Sequence, residues 1–130
     1  MRSLFFVLFG MTSAKRLRVL VVDENQIVAD TVAEMATAKG HYAVPASITS
    51  DIDEVLQTTA CDVVIFDVEL LPPGGSVDCL TSLRHRYPAV KIVGTSSTQR
   101  RATRNLRLDS FLGKPFALNQ LDAVLSDITS

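Results

Sequence analysis

Between residues 17 and 128, short apolar runs alternate with longer amphipathic stretches, and this alternation most limits what the chain can fold into. Asp62–Phe66 (DVVIF) is the clearest run, and Leu17–Val22 is a second. Runs this short, rich in β-branched residues, fit strands buried on both faces of a parallel sheet. Lys91–Gly94 and Ser110–Gly113 are two more, and His41–Ala46 is a weaker one that Pro45 moves toward an edge.

The stretches between the runs read as helices. Ile27–Lys39 carries Val28, Val32 and Met35 at helical spacing, and Gly40 stands where a helix C-terminus favours glycine. Ser50-Asp51-Ile52-Asp53 reads as a capped start for a helix reaching about Thr59. Leu71–Gly75 (LPPGG) is a loop by its turn chemistry. Val77, Leu80, Leu83 and Tyr87 mark a helix that Pro88 stops, and Ser97–Leu108 is a less regular fourth helix. Leu118, Leu121, Leu125 and Ile128 give a strongly amphipathic fifth. Five strands alternating with five helices predict an α/β, doubly wound parallel sheet with helices on both faces.

Size and composition agree with one such unit. The 130 residues allow one domain at roughly 150 residues each. Hydrophobic residues at 47% and charged residues at 21% describe a globular chain. A net charge of −1 lacks the basic excess of a nucleic-acid-binding protein. Cys61 and Cys79 are too few for a disulfide scaffold, and read as small buried hydrophobes in a cytoplasmic protein.

Residues 1–14 stand apart as an N-terminal tail before a domain over 15–130. Leu4–Met11 (LFFVLFGM) is nearly all apolar but far too short to span a bilayer. A short secretory signal, an extra tail with Met11 as the true start, and a docking tail all remain open.

Ligands of open α/β sheets bind beyond the carboxyl ends of the strands. Asp23-Glu24 follow the first run, Asp67 the third, Thr95-Ser96 the fourth and Lys114-Pro115 the fifth. Each alone has a plain reading, as a helix cap, a turn hydroxyl or a surface lysine. Together they place three anions at one sheet edge, a conflict that a divalent cation such as Mg²⁺ would remove.

That combination resembles the receiver domain of two-component response regulators, over residues 17–128. Asp23-Glu24 match the family's acidic pair, Asp67 its phosphoacceptor, Thr95 its switch hydroxyl and Lys114 its lysine. Phe111 stands where the family carries a switch aromatic, and Gly75 in its Pro/Gly loop. The resemblance implies the flavodoxin-like strand order 2-1-3-4-5, for which a receiver is a standard example. It implies phosphoryl transfer to Asp67 from a histidine kinase or histidine phosphotransfer protein, not turnover as a conventional enzyme. Mg²⁺ would be held by Asp23, Glu24, Asp67 and the Glu69 backbone carbonyl. Ser96 would leave room for the incoming phosphohistidine. Thr95 and Phe111 would then reshape the face of the fourth helix, fifth strand and fifth helix for a downstream protein target or a homodimer.

Three features depart from the family pattern. Leu71 replaces the usual proline four residues after the acceptor, with Pro72-Pro73 following. Thr95 and Lys114 are 19 positions apart, which shortens the fourth helix, and the usual Gly-Ala before strand five is missing. That region carries Arg100, Arg101, Arg104 and Arg107, either a solvated face or a contact for an acidic partner. His41 and His85 read as surface histidines. Two other functions compete. A flavodoxin-like phosphate binder would need a Gly/Ser/Thr loop after strand one, where this chain has Asp23-Glu24-Asn25. A phosphorylation-independent interaction module would keep the fold without using Asp67. Within this length there is no output domain, so the expected form is a stand-alone receiver, a phosphorelay intermediate or an excised fragment.

Overall fold

Arg18–Val22 (β1) exposes its first residue and buries its last four, as an interior strand must. The computed structural model describes residues 16–46, 50–58, 60–70, 78–97 and 107–129. The elements after β1 are α1 (Gln26–Ala38), β2 (Tyr42–Ala46), α2 (Ser50–Thr58) and β3 (Val63–Asp67). A 3₁₀ turn (Val68–Leu70) leads on toward α3 (Asp78–Arg86) and β4 (Lys91–Ser96). β5 (Ser110–Gly113) and α4 (Leu118–Ile128) complete the described part. The five strands form one parallel sheet in the order β2-β1-β3-β4-β5. The doubly wound α/β fold with order 2-1-3-4-5 is therefore present.

Alternation along the strands builds two cores. Val19, Val21, Val63, Ile65, Val93 and Leu112 face one side, where Ala29, Val32, Ala33 and Ala36 of α1 and Leu121 and Leu125 of α4 cover them. Leu20, Val22, Val64, Phe66 and Ile92 face the other, against Ile52 and Leu56 of α2 and Leu80 and Leu83 of α3. A fully buried side chain of this size contributes about 1.5–3 kcal/mol, so both faces are needed to hold the sheet.

Local signals explain the element ends. The Asn25 side chain accepts from the N–H groups of Ile27 and Val28 and caps α1. Gly40 follows the helix at φ 93°, a conformation that side chains rarely adopt. β2 is an edge strand with alternating exposure, as Pro45 suggests.

Several expectations change. β3 runs one residue further than the apolar run, and β4 extends through Thr95 and Ser96. Backbone pairing carries both past the hydrophobic residues, since Asp67 pairs with Thr95 and Ser96 with Gly113. Ser50 is the first residue of α2 rather than its cap, and the capping position falls outside the described residues. Leu118 is exposed, leaving Leu121 and Leu125 as the buried positions of α4. Arg107 has φ 54° and Leu108 is not helical, so the expected fourth helix does not reach them. The Arg107 carbonyl accepts from Arg84 instead, and Arg84 also pairs with Asp109 at 3.0 Å. Asp109 accepts from the Ile92 N–H at 2.7 Å, fixing the entry to β5.

His41 is buried rather than on the surface, because its Nδ1 accepts from the Leu17 N–H at 3.0 Å. Burial holds its pKa below 6.5, with Arg16 adding to the effect and Asp122 opposing it. His85 is exposed, as expected. Cys61 is half-buried and directs its thiol at the Val63 carbonyl, 3.2 Å away, while burial pushes its pKa up. Residues 1–15, the Leu71–Gly75 loop with Gly75, Arg100, Arg101 and Arg104, and the Cys79 side chain lie outside the described residues. Among the described residues, no helix is long and apolar enough to cross a membrane.

Candidate functional site

The register of the sheet selects the residues that meet beyond its carboxyl edge. Asp23, Asp67, Thr95 and Lys114 each stand two positions after a core residue: Val21, Ile65, Val93 and Leu112. Two steps along a strand return to the same face. The side covered by α1 and α4 therefore supplies Asp67 and Thr95 from within β3 and β4, and Asp23 and Lys114, just past the ends of β1 and β5, join them through the contacts of the lysine.

Asp23 and Asp67 are both 3% exposed. Each commits one carboxylate oxygen to the backbone two residues on. Asp23 Oδ1 accepts from the Asn25 N–H at 2.9 Å, and Asp67 Oδ1 from the Glu69 N–H at 3.0 Å. Such local turns account for part of each aspartate, as the plain reading held. Their second oxygens turn to one cation. Lys114 Nζ donates to Asp23 Oδ2 at 2.6 Å and to Asp67 Oδ2 at 3.4 Å. The two carboxylates thus lie within the sum of those distances, and the lysine closes the edge of the sheet.

Charge remains unbalanced there. Burial pushes the Asp67 carboxyl above its usual range; the Glu69 N–H and Lys114 oppose this, while Asp23 and Glu69 add to it. Burial would lower Lys114, but its bond to Asp23 and the two carboxylate charges outweigh that and hold it up. Thr95 is buried beside Asp67, with its hydroxyl 3.5 Å from the Phe66 carbonyl oxygen.

Glu24 and Phe111 take no part in the contacts of Lys114. Glu24 is exposed, and among the described residues no three His, Cys, Asp or Glu side chains gather as a metal-binding group. Phe111 is 38% exposed and sits on the opposite face of the sheet, one step out of phase with Leu112 and Lys114. Its ring edge lies over Gly94, where an added Cβ would stand 3.3 Å from Phe111, 3.1 Å from Val68 and 2.4 Å from Leu108. A methyl here would have to push the ends of Leu108, Val68 and Phe111 aside.

The Glu69 side chain takes a position that sequence reasoning missed. Its carboxylate accepts from the Ser96 hydroxyl at 2.7 Å and from the Ser97 N–H at 3.3 Å. The Ser96 hydroxyl leads the effects that hold Glu69 below its usual range. Ser96 is 1% exposed, so the gap expected at that residue is covered by Glu69. A signal existed: an acidic residue just past a strand-closing aspartate can reach only the neighbouring strand end, where two serines follow Thr95.

A family model described as the response regulator receiver domain matches residues 19–126. The chain belongs to that family. Solved structures agree with the receiver fold. A response regulator from Thermotoga maritima has TM-score 0.77 and 22% identity, covering 89% of this chain and 100% of that one. A CheY-like receiver domain from Methylobacillus flagellatus has TM-score 0.74 and 24% identity, covering 88% and 99%. A CheY-like receiver domain protein from Methanospirillum hungatei JF-1 has TM-score 0.73 and 16% identity, covering 88% and 95%. At these identities the likeness concerns the fold. No curated protein matches the receiver.

The donors present suit a hard cation. Two buried carboxylates face one ammonium, with a third carboxylate, Glu69, raising the negative potential. Oxygen donors of this kind fit Mg²⁺, which keeps several waters and needs few protein ligands.

Proposed function

We propose that this receiver accepts a phosphoryl group on Asp67 from the phosphohistidine of a histidine kinase or a histidine phosphotransfer protein. One observation carries the reading: Asp67 is buried with one oxygen fixed by the Glu69 N–H and the other turned to Lys114, which also holds Asp23. The nitrogen–phosphorus bond of the donor breaks as an Asp67 oxygen bonds to phosphorus, and the imidazole leaves with the electron pair. In such transfers the protein mainly positions groups and stabilises charge. Lys114 offsets charge on the equatorial oxygens, and Thr95 gives them a hydrogen bond. Mg²⁺, when bound, neutralises the same oxygens; Asp23 and Asp67 would hold it, with Glu24 and the Glu69 carbonyl as further ligands. The chain promotes its own transfer and hydrolysis rather than turning over a separate substrate.

The output is a population shift at the face that contains Phe111, read by a downstream protein target or a second copy in the cytoplasm. Moving such an equilibrium from 1:99 to 99:1 takes about 5.5 kcal/mol of differential interaction. Phe111 packs over Gly94 beside Val68 and Leu108, so movement of the ring would change these contacts.

Intact mass after incubation with acetyl phosphate tests this. One phosphoryl group should appear on the wild type with Mg²⁺, and none on Asp67→Asn or without the metal. A folded, Mg²⁺-binding protein that takes no phosphoryl group from acetyl phosphate or from a phosphohistidine donor would overturn it and leave the phosphorylation-independent module.

A further inference from the structure

β2 is an outer strand of the sheet, paired with β1 alone. The Tyr42 N–H donates to the Leu17 carbonyl, and the Ala46 carbonyl accepts from the Asp23 N–H. Alternate residues of a strand turn their backbone groups to the same side. Tyr42, Val44 and Ala46 therefore face β1, and Ala43 and Pro45 face away from the sheet. Proline has no N–H. The free edge thus offers the Ala43 N–H and the carbonyls of Ala43 and Pro45, one donor and two acceptors.

Side chains flank this edge on both faces of the sheet. On one face an open groove of about 530 Å³ lies between β2 and α1. Ala33, Ala38, Ala43 and Pro45 line it with small apolar surfaces, and Asp30 and Glu34 add two exposed acids, one helical turn apart. Asp30 accepts from the neutral Gln26 side-chain amide at 2.8 Å. No Lys or Arg among the described residues pairs with either acid. On the other face Val44 is 51% exposed, and the Tyr42 ring carries the Arg16 guanidinium at 4.7 Å.

Proline on an outer strand discourages pairing with a like strand. Here it acts chiefly against a second copy. A twofold axis would pair the two β2 strands antiparallel. With Ala43 opposite Pro45, half of the bonds lack an N–H. With Ala43 opposite Ala43, the Pro45 carbonyl meets the His41 N–H, which the Ala36 carbonyl already holds. Either register also brings Asp30 and Glu34 of both copies to one face, where they repel. A foreign strand meets none of these obstacles, and two unpaired acids beside an apolar groove select a basic one.

We propose that β2 takes up, as a sixth strand, an extended segment of another protein in which basic and apolar residues alternate. Side chains of an added strand alternate between the two faces. Lys or Arg stems then lie along the alanines of the groove with their charges at Asp30 and Glu34, and the apolar set meets Val44. Main-chain bonds supply affinity and the alternate side chains supply specificity. The opposite outer strand, β5, carries Phe111, so this docking does not depend on phosphoryl acceptance and can be tested without it.

NMR titration of the isotope-labelled full chain with an acetylated and amidated hexapeptide of alternating Lys and Val tests this. Shifts should centre on the Ala43 N–H, and binding should weaken as salt rises. Asp30→Asn with Glu34→Gln changes only exposed side chains and should weaken binding about fivefold, the loss of two exposed ion pairs. Methylating one alternate set of peptide amides should abolish binding and methylating the other should spare it, because only one set faces β2. Equal tolerance of both sets overturns the proposal, as does equal binding of an alternating Glu and Val hexapeptide. So does self-association of the chain that shifts the same β2 signals and that the basic peptide fails to displace, which would give the edge to a second copy.

Discussion

Lys114 reaches Asp23 at 2.6 Å although β3 and β4 lie between the strands that the two residues follow. The lysine thus joins the two buried carboxylates and ties the end of the last strand to the end of the first. Lys114→Met should leave two buried carboxylates without their cation, at a cost of about 3 kcal/mol for breaking a buried pair. Thermal unfolding should show that loss, and Mg²⁺ should recover more of it in the variant than it adds to wild type.

Asp67→Asn should stabilise the metal-free protein at neutral pH. The Asp67 pKa is raised on folding, mainly by burial. A raised carboxyl contributes stability that is complete below the unfolded value of 3.8 and lost as pH rises through the folded one. At neutral pH the ionised aspartate therefore costs stability that asparagine does not. The advantage should vanish in acid, which unfolding midpoints measured across pH will reveal.

His41 has the opposite sign. Its folded pKa lies below 6.5 because burial disfavours the cation, and its Nδ1 must stay unprotonated to accept from Leu17. Stability is complete above the unfolded value and falls as pH drops from there toward the folded one. Urea unfolding between about pH 7.5 and 5 should show the decline. His41→Gln should flatten it, at some cost in stability at the upper end.

Glu69→Gln should speed uptake from acetyl phosphate a few-fold at low salt. The glutamate holds Ser96 and Ser97 and adds negative charge near Asp67, which opposes an anionic donor. Glutamine keeps hydrogen-bonding capacity without the charge. A gain that persists at high salt would instead point to release of the serine contacts.

Gly94→Ala should destabilise by about 1–3 kcal/mol, the range for overpacking. The new methyl would meet Val68 at 3.1 Å and displace the ends of Leu108 and Phe111. Chemical denaturation gives the cost. Proton NMR with beryllofluoride should show a smaller response at Phe111 than in wild type.

Most of the fold could be read from the sequence because hydropathy carries it. Val19, Val63, Ile65 and Val93 are apolar for burial on one face, and their neighbours for the other. Strand ends were less legible. Hydrogen bonding sets them, so β3 takes in Asp67 and β4 takes in Thr95 and Ser96. The grouping of Asp23, Asp67, Thr95 and Lys114 could be foreseen, since each follows an apolar run. The Glu69–Ser96 contact and the burial of His41 could not be read from periodicity. Both depend on one polar atom meeting another across elements far apart in sequence.

The two-residue offset between core and site has a consequence for faulty molecules. A slip of one residue in β1, β3, β4 or β5 would turn its buried side chains to the wrong face, and would take the aspartate, threonine or lysine at its end with them. A chain paired in the wrong register thus loses its core and its chemistry in one error. A copy paired out of register would therefore lack the cluster that the proposed phosphoryl transfer needs.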